Sequence, residues 1–251
     1  MFDVAAEAYD SYMGKYSMPL APLFCDFAGI GAEERVLDVG CGPGALIAEL
    51  VHRLGSKAVC AVDPSEPFVE AARRRHADVE VTQAPAERLP FPNEDFDASL
   101  AQLVVHFMAD PLEGLREMAR VTRPGGLVAA CVWDHGGGQG PLSGFWAAAR
   151  DLDPTVEDES RLAGSREGHL GELLDEVGLT DVLETVLSVS VEHASFEEWW
   201  KPFTFGVGPA GAYLATLDAD RQAELRDHCR DTLSKGSLTV IARAWAARGH
   251  V

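Results

Sequence analysis

Between residues 36 and 133 the chain alternates short runs of branched apolar residues with longer stretches in which apolar positions recur every three or four residues. The first run, Val36-Leu37-Asp38-Val39, reads as a buried parallel strand, and Ala45 to Val51 opens a helix behind it. Lys57 to Val62 is a second strand. The helix after it takes Ser65 as N-cap and continues through Phe68, Ala71, Ala72 and Arg75. Val79 to Thr82 is a short third strand, Asp95 to Ala101 enters a fourth, and Leu127 to Trp133 is a fifth. Between the last two, Asp110-Pro111-Leu112-Glu113 combines an Asp N-cap, a first-turn proline and an acid three residues on. Leu112, Leu115, Met118 and Ala119 form the buried stripe of that helix, and Arg123-Pro124-Gly125-Gly126 stops it. Strand and helix in alternation predict an α/β fold: a Rossmann-like, doubly wound and mostly parallel sheet.

The flanks are less regular. Residues 1 to about 30 read as two short helices broken at Met18-Pro19, with Tyr9, Tyr12 and Tyr16 on one face, as core packing or as a lid. After Trp133, Asp134 to Gly140 reads as a flexible glycine loop at the rim. Helices follow near 141–150 and at 169–177, then a sixth strand, Val182 to Val191. Helices at 195–200, 210–217 and 220–235, the last closed by Gly236, precede a seventh strand, Ser237 to Trp245. We expect one domain over 1–251: N-terminal helices over 1–30, a ligand-binding core over 31–134, and a C-terminal part over 135–251. A small helical cap is inserted in that last part at about 193–236.

Chemistry concentrates at Asp38-Val39-Gly40-Cys41-Gly42-Pro43-Gly44. Glycine permits positive φ and lets a ligand approach bare backbone, and the amides of such a turn suit a carboxylate or phosphate. Gly40-x-Gly42-x-x-Ala45 also satisfies the dinucleotide fingerprint, so a nicotinamide-dependent oxidoreductase is one reading. Asp38 opposes it: a carboxylate two residues before the first glycine repels a pyrophosphate and favours a ligand with positive charge. Asp63, 19 positions beyond Gly44 at the end of the second strand, is placed to accept hydrogen bonds from ribose hydroxyls.

This motif resembles motif I of the class I S-adenosylmethionine-dependent methyltransferases, and most of all the small-molecule group that includes the ubiquinone/menaquinone methyltransferases. The likeness runs over about residues 34 to 133. It implies S-adenosylmethionine as cofactor, S-adenosylhomocysteine as product, an antiparallel last strand, and a cofactor site. That site would comprise Asp38, Gly40, Cys41 and Gly42 at the turn, Asp63 and Pro64 after the second strand, and Ala86 and Glu87 in the adenine loop. Gln102 and Leu103 would lie at the amino-acid end, with Tyr16 in the N-terminal cover. Where many relatives have an acid for the adenine amino group this chain has Pro85, leaving Gln83 or Glu87 as acceptors and a cofactor-binding sensor without turnover as a third reading. His106, beyond the fourth strand, is the candidate general base, with Asp134 and His135 behind it. Trp133, Trp199, Trp200, Phe203 and Phe205 are either core or the lining of an apolar acceptor pocket.

Composition narrows the partners. Twenty-one basic against 40 acidic residues give a net charge of −19, which disfavours nucleic acid and anionic membrane surfaces and leaves a small-molecule acceptor. The one cationic run, Arg73-Arg74-Arg75, reads as a solvated helix end. Five dispersed cysteines without a Cys-x-x-Cys predict reduced thiols and no metal site. With no signal peptide and no apolar run of membrane-spanning length, a cytoplasmic protein is expected; the oligomeric state is left open.

Overall fold

The computed structural model describes residues 9–233 and 238–251. A seven-stranded sheet has the order β3-β2-β1-β4-β5-β7-β6. Its strands are β1 (Val36–Val39), β2 (Val59–Asp63), β3 (Glu80–Gln83), β4 (Phe96–Gln102), β5 (Thr122–Trp133), β6 (Thr180–His193) and β7 (Leu238–His250). The pairs among β1 to β5 are parallel, while β7 runs antiparallel to both β5 and β6. The chain winds outward from β1 to β3, then restarts beside β1 with β4. A crevice therefore opens at the carboxyl ends of β1 and β4, where such folds bind ligands.

Alternating side chains of β5 fill both faces. Leu127, Ala129, Cys131 and Trp133 join one core with helices α1 (Lys15–Ala28) and α2 (Ala45–Leu54). Val128, Ala130 and Val132 join the other with α4 (Pro111–Val121) and α6 (His169–Glu176). Helix α3 (Glu66–Arg75) links β2 to β3, and Asp110 caps α4 by accepting from the Glu113 amide at 3.1 Å.

Helix α1 is continuous across Met18-Pro19, where the sequence predicts a break. Pro19 and Met18 face solvent, so the missing N–H leaves its carbonyl partner to water. Leu20, Ala21, Phe24, Cys25 and Ala28, buried on the opposite side, outweigh the proline penalty. A π-turn, Asp10–Gly14, leads into α1 and divides the tyrosine stripe. Tyr9 packs on Phe68 at 5.1 Å, Tyr12 stands edge-on to Phe203 at 5.5 Å, and Tyr16 enters the sheet core.

A third core lies over the crevice. Helices α7 (Phe196–Trp200), α8 (Gly208–Thr216) and α9 (Ala219–Thr232) lie between β6 and β7, and α5 (Ser143–Leu152) joins them from the β5 side. Phe145 stacks on Phe203 at 4.6 Å, and Trp199 meets the edge of Phe203 at 4.9 Å. Trp199, Trp200 and Phe203 are thus core residues of this layer, while Phe205 is 40% exposed. The expected close of the last helix at Lys235 and Gly236 lies outside the described residues.

The arginine run is exposed, as expected of a solvated helix end, and two of its members also make contacts across the fold. Arg73 donates twice to the Val81 carbonyl, and Arg75 bonds the Pro43 carbonyl at 3.1 Å and the Asp10 carboxylate. All five cysteines are buried and unpaired. Burial pushes the Cys25 and Cys229 thiols up to about 12 and Cys60 to about 11, and raises Cys41 and Cys131 as well.

Candidate active site

The carboxyl ends of β1, β2 and β4 border a cavity of about 620 Å³. Gly40 and Gly42 lie on one side, Asp63 to Phe68 on another, and Pro85, Ala86 and Glu87 opposite, with Leu103, Val104 and Phe107 completing it. Seven of the residues assigned to the cofactor from sequence therefore meet here: Gly40, Gly42, Asp63, Pro64, Ala86, Glu87 and Leu103.

At Gly40 φ is +72°, and an added Cβ would lie 2.4 Å from a Val104 methyl carbon, so both conformation and space exclude a side chain. The turn's amides are used internally. Gly40 and Cys41 donate to the Val62 carbonyl, Gly42 to Asp63 Oδ2, and Gly44 to the Cys41 carbonyl. The turn thus folds back onto the end of β2, and a ligand's carboxylate would have to share these N–H groups with their present acceptors. Cys41 is buried and lies outside the cavity lining, its thiol directed to the Gly42 carbonyl at 3.5 Å.

Asp63 accepts from the Gly42 amide through Oδ2 and from the Ser65 amide through Oδ1, both at 2.8 Å. Each oxygen keeps a second lone pair for a hydroxyl. Burial raises its carboxyl above the usual range despite those two bonds. Asp38 is 1% exposed, and its Oδ2 has no partner among the described residues. Burial first, and the Asp63 charge second, raise its carboxyl well above the ordinary value. On the adjacent strand, Gln102 donates to the Ser17 carbonyl at 3.1 Å, and its Oε1 is likewise buried without a partner. Asp38 pairs with Leu100, so Asp38 and Gln102 share the face covered by α1.

Neither Asp38 nor Gln102 lines the cavity; both lie beneath the glycine turn and Leu103, and an ammonium there would offset the burial of Asp38 only by displacing that cover. With Asp63 available to a sugar and Pro85 and Ala86 as an apolar wall for a flat ring, the residues fit S-adenosylmethionine. Of the proposed adenine acceptors, Gln83 bonds the Pro64 carbonyl and is not part of the lining. Glu87 lines the cavity while accepting from the Ala109 and Asp110 amides, which steadies the start of α4. Tyr16 lies outside the cavity lining, its hydroxyl 2.8 Å from His193 Nε2.

A second cavity, of about 30 Å³, adjoins the first, and Tyr9, Leu103 and Phe107 line both. Leu103 holds φ at +63°, an uncommon conformation for a leucine, and its amide donates to the Cys131 carbonyl at 2.8 Å. His106 lines this smaller cavity, not the larger one, on the one-turn helix Val105–Phe107. Its Nδ1 has no partner among the described residues, and burial, then His135, push its pKa well below the ordinary histidine value. His135 and Glu159 complete the group: the ligand atoms of all three lie within 4.8 Å of one another. Burial lowers His135 to about 4 and raises Glu159 to about 7, the latter opposed by the Trp146 indole N–H donated to its Oε2 at 2.9 Å. Trp133 also lines this cavity.

The glycine loop that carries His135 is tied down. Asp134 accepts from the Gly137 amide at 2.7 Å, and Gly136 donates to the Ser165 carbonyl at 2.8 Å. Glu159 escapes sequence reasoning because it stands in an acidic loop, Glu157-Asp158-Glu159, that reads as solvated. Its one signal is Asp158, which caps the turn Glu159–Arg161 by accepting from the Ser160 amide.

A family model described as a methyltransferase domain matches residues 37–130. A demethylmenaquinone methyltransferase of Mycobacterium sp. (strain KMS) is 38% identical over 136 residues, which are 52% of this chain and 57% of that protein. The chain thus spans just over half the length of that curated relative. A demethylmenaquinone methyltransferase of Clavibacter sepedonicus is 30% identical over 195 residues, 75% of this chain and 79% of that one. The crystal structure of the YcgJ protein from Bacillus subtilis shares the fold, with a TM-score of 0.61 at 22% identity over 92% of this chain and 97% of that one. The strand order, the glycine turn with its two acids, and these relatives agree: the chain belongs to the class I S-adenosylmethionine-dependent methyltransferase family.

Proposed function

We propose that this protein transfers a methyl group from S-adenosylmethionine to a small, largely apolar acceptor bound between Leu103 and the helical cap. The observation that carries this reading is the meeting of the two cavities at Leu103 and Phe107. The larger has the volume for the cofactor. The smaller, about 30 Å³, takes no more than a hydroxyl-sized group, so an acceptor ring would enter only by displacing its cover of Tyr12, Leu142 and Val207. The cofactor supplies an activated methyl on a sulfonium. The chain's part is placement and exclusion of water: Asp38 and Gln102 toward the cationic end, Asp63 toward the ribose, and the cap over the acceptor. His106 stands on the acceptor side as the group nearest the role of base. The relatives named as demethylmenaquinone methyltransferases make a quinol-like ring a reasonable acceptor class.

A nicotinamide oxidoreductase is disfavoured, since the matching family model and the curated relatives are methyltransferases. Titration with S-adenosylhomocysteine and NADH should give micromolar binding of the first only, and the reverse overturns the proposal. Incubation with methyl-labelled cofactor and a metabolite extract should yield a labelled small molecule. Cofactor binding with no labelled product at any pH would instead point to a sensor.

A further inference from the structure

We propose that His106, His135 and Glu159 form a binding site for one divalent cation of the zinc class, with an open position toward the acceptor cavity. The three come from separate parts of the chain: the turn after β4, the loop after β5, and the turn Glu159–Arg161 beyond α5. Their ligand atoms lie within 4.8 Å of one another. His135 Nε2 and Glu159 Oε1 are 4.0 Å apart, too far for a hydrogen bond. Ligands around a tetrahedral zinc, with metal–ligand bonds of about 2.0–2.1 Å, stand roughly 3.3–3.5 Å apart, so a small contraction brings them into register.

The polar inventory supports a ligand here. Among the described residues His106 Nδ1 and His135 Nε2 are both buried without a partner, an expensive arrangement for two imidazoles 5.7 Å apart between centroids. The Tyr12 hydroxyl and the Trp133 indole N–H, which belong to residues lining the same cavity, are also buried without partners among the described residues. Two histidines, one glutamate and a vacant fourth position are the composition of catalytic zinc sites. The Trp146 N–H on Glu159 Oε2 orients that carboxylate from behind, as outer-shell partners of metal ligands do. Such an ion would take a hydroxyl oxygen of the acceptor as its fourth ligand, with the hydroxyl proton leaving to solvent water, and so hold the acceptor as an oxyanion, His106 then acting as a ligand in place of a base.

This proposal rests on the methyltransferase reading only for the acceptor's identity, and metal binding tests it separately. The full chain, stripped with EDTA, is titrated with zinc by calorimetry, and with cobalt while the visible bands of a four- or five-coordinate ion are recorded. One zinc per chain is expected. Glu159→Gln and His135→Ala should each weaken it at least about tenfold, while His52→Ala, at an exposed position of α2, leaves it unchanged. S-adenosylhomocysteine binding, measured on the same samples, reports that the variants are folded. Absence of zinc binding, or zinc affinity equal in wild type and both variants while S-adenosylhomocysteine still binds, overturns the metal site and leaves the methyltransferase reading standing. Stoichiometric zinc without S-adenosylhomocysteine binding supports the site and overturns that reading instead.

Discussion

Asp63 holds the Gly42 amide on its Oδ2 at 2.8 Å, so the acid assigned to the cofactor's sugar also fastens the glycine turn. Asp63→Ala removes both roles. Affinity for S-adenosylhomocysteine should fall by about 1–3 kcal/mol, the range for charge-assisted hydrogen bonds. Asp63→Asn keeps one acceptor oxygen and should recover part of the loss. Calorimetry that finds equal affinities in all three proteins would remove Asp63 from the site.

If Asp38 meets the cofactor's ammonium as proposed, cofactor binding should depend on pH. Its carboxyl is buried beside Asp63 and the thiols of Cys25, Cys41 and Cys131, and its pKa is raised from the ordinary 3.8. The sign follows from linkage: with the folded value above the unfolded one, the folded state binds more protons. Stability without ligand is therefore greatest below the unfolded pKa and is lost as pH rises through the folded one. An ammonium ligand requires the ionised form, so its binding releases protons and tightens as pH rises through the folded value. Calorimetry in buffers of different ionisation enthalpy should detect that release with S-adenosylhomocysteine, and Asp38→Asn should reduce it, any remainder falling to Asp63, whose carboxyl burial also raises.

Gly40→Ala combines a strained φ with an overlap on Val104 and should destabilise the protein by about 2–4 kcal/mol. Trimming the neighbour separates the terms. In Gly40→Ala/Val104→Ala the steric part disappears and only the conformational part remains, which a double-mutant cycle in urea measures.

His106→Ala should lower turnover while leaving S-adenosylhomocysteine affinity nearly unchanged, because His106 lines only the smaller cavity. Steady-state kinetics beside calorimetry check this, and full activity would remove His106 from the chemistry.

Phe203→Ala opens the aromatic layer over the acceptor, where Phe203 is 2% exposed and touches Phe145, Trp199 and Tyr12. A loss of about 3–5 kcal/mol is expected by thermal and denaturant unfolding. In the fraction that remains folded, acceptor KM should rise more than cofactor Kd.

The sequence announces whatever is carried by local pattern. Strand β1, its glycine turn, Asp63 and the Asp110 cap are adjacent or periodic features, and the structure has them where they were expected. Contacts between distant segments leave no such trace. Pro19 marks a break only for an isolated helix, and burial of Leu20 and Phe24 overrides it. The turn's own residues give no sign of the Val62 carbonyl that β2 supplies to two of its amides. Arg75 is exposed as expected, but its bonds to Pro43 and Asp10 come from elsewhere in the chain and leave no local trace. Glu159 was illegible for the same reason: its meaning comes from His106 and His135, 53 and 24 residues earlier.

The shielded cysteines have a practical corollary. Oxidants and alkylating reagents attack sulfur through its deprotonated form, and a thiol pushed to about 11 or 12 supplies almost none of it at neutral pH. The native fold should therefore resist peroxide and react with Ellman's reagent only as it unfolds, which makes thiol labelling a direct clock for its opening.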